Sequence, residues 1–204
     1  MTDKRGDVMK VKTHQYIAET AITLIEDMTG ISFNHKLVKL GSCAPDLAIN
    51  RRLKLHSPMV AGMEFDRILN KFESGKRSNA FLSYMLGVYS HYVADAFCFA
   101  HNNYVTDLKK HMQYEILLQG RIDYMPLPIN MVDMAREQSK ALKHKTALEY
   151  IQNENSKYLK LMEGKTDWEE MAAIDLSYSI MYSTTLMLQL VYEVQAQQVL
   201  APAM

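Results

Sequence analysis

The chain has 204 residues, 48% of them hydrophobic and 23% charged, which suits one soluble domain with a full core. Its 23 basic and 23 acidic residues cancel, so bulk charge recommends no polyanion partner, and Arg51-Arg52-Leu53-Lys54 reads as a solvated face. Cys43 and Cys98 are too few for a disulfide framework, and no apolar stretch follows the basic residues of the first seven; no secretory signal is read and a cytoplasmic location is expected.

The spacing of apolar residues predicts helices almost throughout. Thr13 is placed to cap a helix over residues 14–29, with Ile17, Ala21, Leu24, Ile25 and Met28 on one face and Gly30 at its C-terminal αL position. A short helical turn over 35–40 then precedes an irregular stretch, Gly41-Ser42-Cys43-Ala44-Pro45-Asp46. Met63, Phe65, Ile68, Leu69 and Phe72 predict a helix near 60–73. Residues 79–100 are apolar on every side apart from His91, Asp95 and small polar residues, the pattern of a bundle centre or a membrane span. A central Asp in a lone span costs about 2.5–3.5 kcal/mol on insertion scales. The other segments are amphipathic, so no transmembrane segment is expected. A helix over 103–117 follows, and Pro126-Leu127-Pro128 breaks the pattern. Further helices fall near 130–162, with room for a break, and near 167–198, where Thr166-Asp167-Trp168-Glu169 fits a capping box. With no internal repeat or linker, residues 1–204 are expected to form an all-α, single-domain, multi-helix bundle.

Burying His91 and Asp95 in so apolar a helix is costly unless something compensates. Four residues apart, they project from one face and can share an ion. His111 and Glu115 repeat the spacing, and His101 is placed at the end of the helix that carries His91. Imidazole and carboxylate donors without cysteine suit zinc, and the same set can hold manganese or iron. Taken singly, such i,i+4 pairs are more often solvated helix pairs, His56 a loop residue, His14 a surface residue and Asp46 part of a turn. Five of the seven histidines nevertheless fall into one ordered arrangement; His35 and His144 stand outside it and read as surface residues. Cys98 and Cys43 read as small buried residues packed beside the site rather than as soft ligands.

The order Thr13-His14, Ala44-Pro45-Asp46, His56, His91-Tyr92-Val93-Ala94-Asp95, His101-Asn102 and His111-x-x-x-Glu115 resembles the zinc-dependent phospholipase C and S1/P1 nuclease superfamily. The resemblance runs from His14 to about Glu115. It implies that Asp46, His56, His91 and Asp95 hold one zinc and that His101, His111 and Glu115 hold a second. Asp95 would also reach a third, shared with His14. Secreted members complete that third site with the amino group and carbonyl of an N-terminal tryptophan. Here thirteen residues precede His14 and the single tryptophan is Trp168, so two zinc ions are expected and the third is left open.

Clustered zinc ions with an open position activate water and neutralise phosphoryl oxygens, which suits hydrolysis of a phosphate diester. The expected function is therefore that of a phospholipase C-like phosphodiesterase. Asp46 is the candidate to orient or deprotonate the attacking water, and a phospholipid is one candidate substrate. Two alternatives stay open. An S1/P1-like single-strand nuclease would need stacking aromatics near the metals, for which Tyr84, Tyr89, Tyr92 and Tyr104 are candidates, although zero net charge gives no nucleic-acid signal. The other is a metal-binding helical protein without enzymatic activity.

Overall fold

Helix formers with 3.6-residue apolar spacing fold as that spacing predicts: α-helices and one 3₁₀ turn, with no strand among the described residues. The computed structural model describes residues 6–47, 57–75, 78–102, 107–124, 130–142 and 145–200. The helices are α1 (Gly6–Thr29), α2 (His35–Leu47), α3 (Pro58–Glu73), α4 (Asn79–Ala96), α5 (Leu108–Arg121), α6 (Met131–Leu142), α7 (Ala147–Met162) and α8 (Trp168–Leu200). The 3₁₀ turn η1 spans Phe99–His101, between α4 and α5.

Two helices form the centre. α4 is buried along nearly its whole circumference from Leu82 to Ala96 and packs on α1, α2, α3 and α8. α8 buries Leu176, Ile180, Leu186, Leu190 and Val194, and packs on α1, α3, α4, α5 and α6. No described helix is long and apolar enough to cross a membrane, so the apolar character of α4 reflects a bundle centre.

Several boundaries differ from those the sequence predicts. α1 starts at Gly6, so Thr13 lies inside the helix, buried, rather than capping it. Gly30 does end α1 with φ +71°, the left-handed region that glycine enters at least cost. α2 continues to Leu47 through the stretch expected to be irregular, Pro45 included. Pro45 removes one backbone donor, but only two residues of the helix follow it, so the lost bond falls in the last turn. In α3, Phe65, Ile68 and Phe72 are buried as their spacing predicts, whereas Met63 is exposed.

α4 stops at Ala96 instead of running to residue 100, and His101 therefore sits in η1. The expected helix near 130–162 divides into α6 and α7; Thr146 and Glu149 form the capping box that opens α7. No such box opens α8. There Asp167 accepts from the Glu169 amide at 2.9 Å, one residue later than the predicted cap at Thr166. Pro126-Leu127-Pro128 lies outside the described residues.

Candidate metal centre

The approach of α2 to α4 depends on two glycines. A Cβ on Gly41 would strike the Tyr84 carbonyl, and one on Gly87 would strike the Val38 carbonyl. Backbone therefore lies directly against backbone. This closeness brings the Ser42 carbonyl of α2 within 2.9 Å of His91 Nδ1 on α4. A carbonyl oxygen only accepts, so Nδ1 carries the proton and Nε2 is left with its lone pair. Orientation of an imidazole by a carbonyl behind it is the usual support of a metal-binding histidine.

The lone pair of His91 points at negative charge. Asp95 Oδ2 lies 3.2 Å from His91 Nε2, and Asp46 Oδ1, from the last turn of α2, lies 3.7 Å away. Three acceptors facing one another require a proton or a metal cation between them. Burial acts to lower the His91 pKa, but the Asp95 carboxylate, followed by Asp46, outweighs it and the net shift is upward. The same carboxylates that favour a positive charge on the ring would favour a cation between them.

His14 enters from α1. Its Nε2 lies 3.4 Å from Asp95 Oδ1, and its ring centroid is 4.0 Å from that of His91. Burial first, then the neighbouring His91, pulls its pKa down to about 4, so the ring is neutral and able to ligate. Its Nδ1 is buried without a hydrogen-bond partner among the described residues. Ligand atoms of His14, Asp46 and His91 all lie within 4.8 Å of one another.

A second group, His101, His111 and Glu115, meets the same 4.8 Å criterion. Glu115 Oε1 is 3.0 Å from His111 Nε2 and 3.4 Å from His101 Nε2. Asp95 joins the two groups, because its Oδ1 also lies 3.5 Å from His101 Nε2. A cavity of about 30 Å³, lined in part by His14, Asp95, His101 and Glu115, sits where they meet. Together the two groups bring four imidazoles and three carboxylates around Asp95, a donor set that fits divalent cations of the zinc class.

Seven of the eight residues singled out in the sequence are thus brought together; His56 lies outside the described residues, as do His144 and Tyr104. His35 stands apart, half-buried and 3.0 Å from Glu26. Cys43 and Cys98 are buried. Helix α1 is unbroken from Gly6 to beyond His14. At about 1.5 Å of rise per residue, the first described residue lies roughly a dozen ångströms along the helix from His14.

Sequence reasoning missed the supporting residues. The Ser42 carbonyl carries no side-chain signal at all. Asn102 donates to the Ala96 and Cys98 carbonyls, and Asn155 on α7 donates to Ala96 and to Asn102, fastening the turn before His101. Asp175, fully buried on α8, is an acid in an apolar helix, the same signal that marks Asp95.

Asp175 also makes stability depend on pH. Burial pushes its carboxyl up to about 6, against the pull of the Tyr158 hydroxyl, the Phe99 amide and the Tyr114 hydroxyl. Because the folded pKa is raised, this contribution is fully present below the unfolded value of 3.8 and is lost as pH rises through about 6. The gap corresponds to about 3 kcal/mol. Asp175→Asn has no proton to lose. Urea unfolding of the metal-free variant should therefore gain on the wild type by roughly that amount between about pH 4 and pH 8. A constant difference over that range would mean that the carboxylate is already ionised at the acid end.

A family model described as zinc-dependent phospholipase C matches residues 13–171, a span that includes every residue of the candidate centre. No curated protein and no solved structure matches the chain.

Proposed function

Because the chain belongs to the zinc-dependent phospholipase C family, we propose that it hydrolyses a phosphate diester of the phospholipase C type at the centre built around Asp95. The observation that carries this reading is the joining of two groups of donors through one buried carboxylate, an arrangement that would hold two cations near one another. We read His14, Asp46, His91 and Asp95, with His56, as ligands on one side, and His101, His111 and Glu115 on the other. Zinc held there supplies Lewis acidity, which activates a water and neutralises the phosphoryl oxygens.

The chain's own residues divide the remaining work. Asp46 is the more open carboxylate of the first group, its side chain 24% exposed against 2% for Asp95. Solvent reaches it, so it is the residue to orient the attacking water and take its proton. Asp95 is shut away from solvent and serves to fix the spacing of the two groups. His91, oriented by Ser42, presents only Nε2 to the centre. Attack forms a P–O bond in line with the departing alcohol, whose P–O bond breaks.

Burial removes two of the four candidate stacking tyrosines of the nuclease reading, while Tyr84 is partly exposed. Tyr89 is fully buried and Tyr92 is 2% exposed, so neither offers a face on which a base could stack. A chromogenic phosphocholine diester, single-stranded DNA and a chelator control separate the readings. Chelator-sensitive hydrolysis of the choline ester is expected. Cleavage of DNA alone would favour the nuclease, and silence on both with metal bound would favour a binding protein.

A further inference from the structure

A polar knot between α5, α7, α8 and η1 lies outside both groups of donors, and the reaction proposed above makes no use of it. At its centre is Asp175. Its Oδ2 accepts from the backbone amide of Phe99 at 2.8 Å and from the Tyr114 hydroxyl at 2.7 Å, while its Oδ1 accepts from the Tyr158 hydroxyl at 2.5 Å. Phe99 opens η1, the turn that ends at His101. Tyr114 stands on α5 between His111 and Glu115. One carboxylate oxygen therefore ties together the two elements that supply the whole second group of donors.

We propose that Asp175 is a positioning residue for the cation held by His101, His111 and Glu115, fixing η1 against α5; this rests on the reading that those three side chains bind a metal ion. The local structure shows why such a tie is needed. The Phe99 amide begins a three-residue turn, where no carbonyl within the turn can accept it. A charged acceptor replaces that missing partner with a bond stronger than a neutral one. The Tyr114 hydroxyl reaches the same oxygen, so a shift of either element lengthens a bond to a buried carboxylate. Ligand geometry at a metal tolerates only small displacements, and loss of a supporting hydrogen bond costs about 10–100-fold in metal affinity.

The test removes one bond and keeps the packing. Tyr114→Phe leaves the ring against Phe99 and Trp168. Tyr182→Phe is the matched control: its hydroxyl donates to the buried Glu154 at 2.9 Å, joining α8 to α7, neither of which carries a proposed ligand. Each variant loses one buried tyrosine–carboxylate bond, so a merely structural role lowers stability in both alike. The affinities of wild type and variants for zinc are measured by chelator competition, and the absorption spectrum is recorded after loading with cobalt(II). Tyr114→Phe should weaken one ion about tenfold or more and alter its cobalt spectrum, leaving the other ion unchanged. Tyr182→Phe should change neither ion.

Equal zinc affinities in the two variants would overturn the proposal while the metal reading stands. If Glu115→Gln leaves the metal content of the wild-type protein unchanged, the metal reading fails, and the proposal with it.

Discussion

Asp95→Ala is expected to empty both groups of donors at once, whereas Glu115→Gln should empty one. The difference follows from geometry. Asp95 is 1% exposed, and its two oxygens face three imidazoles: His14 and His101 from Oδ1, His91 from Oδ2. Glu115 Oε1 faces His101 and His111, both of the second group. Removing one partner of a buried charged pair costs about 3–5 kcal/mol, which is roughly 10²–10⁴-fold in affinity for each ion that shares it.

Metal content per chain, measured after dialysis against a weak chelator, should fall towards zero for Asp95→Ala. For Glu115→Gln it should fall by one ion. Activity on the choline ester should fall in proportion to the chains that keep both ions. Asp95→Asn keeps the side-chain volume and loses the charge, so it separates loss of metal from loss of packing; far-ultraviolet circular dichroism checks the fold of each variant. An Asp95→Ala protein that keeps one ion at full affinity would show that Asp95 belongs to a single group.

The centre is legible in the sequence because metal donors must be polar and this chain buries them among apolar residues. His91 and Asp95 in a helix as greasy as α4 call for a compensating cation, and the repeat at His111 and Glu115 sharpens the signal. The expected class, an all-α bundle, follows equally directly from apolar periodicity. Helix ends are less legible. Gly41-Ser42-Cys43-Ala44-Pro45-Asp46 carries the residues that usually interrupt helices, yet it stays helical. Gly41 is needed there for contact with α4 rather than for a turn, a fact of tertiary packing that local preference does not encode.

The end of α4 departs from expectation for the opposite reason. Phe97-Cys98-Phe99-Ala100 continues the apolar pattern, so periodicity predicts helix. The chain instead leaves the helix at Phe97, and the Phe99 amide goes to Asp175, seventy-six residues away. An acceptor so distant in sequence cannot be read locally. The same holds for Asn155, which takes the Ala96 carbonyl from a helix four elements on. Donors advertise themselves by type and spacing, whereas the groups that aim them are found only once the helices pack.

Removing metal should lower the melting temperature far more than a surface binding site would. Asp95 and His91 lie at the centre of the bundle, on the helix that contacts α1, α2, α3 and α8, so charges left unbalanced there strain the core itself. An ion that binds only the folded chain stabilises it by about 2.7 kcal/mol when free at a hundred times its dissociation constant. Two ions at that saturation contribute about twice as much, and each kcal/mol moves the melting point of a chain of this size by about 2–4 °C. Chelation should therefore lower it by roughly 10–20 °C, and zinc, but not magnesium, should restore it, because imidazole-rich sites suit the softer cation. Thermal scans with chelator alone, then with each metal added back, measure this directly. A shift under about 2 °C in protein shown to be metal-free would mean that the buried carboxylates are balanced by something other than a cation.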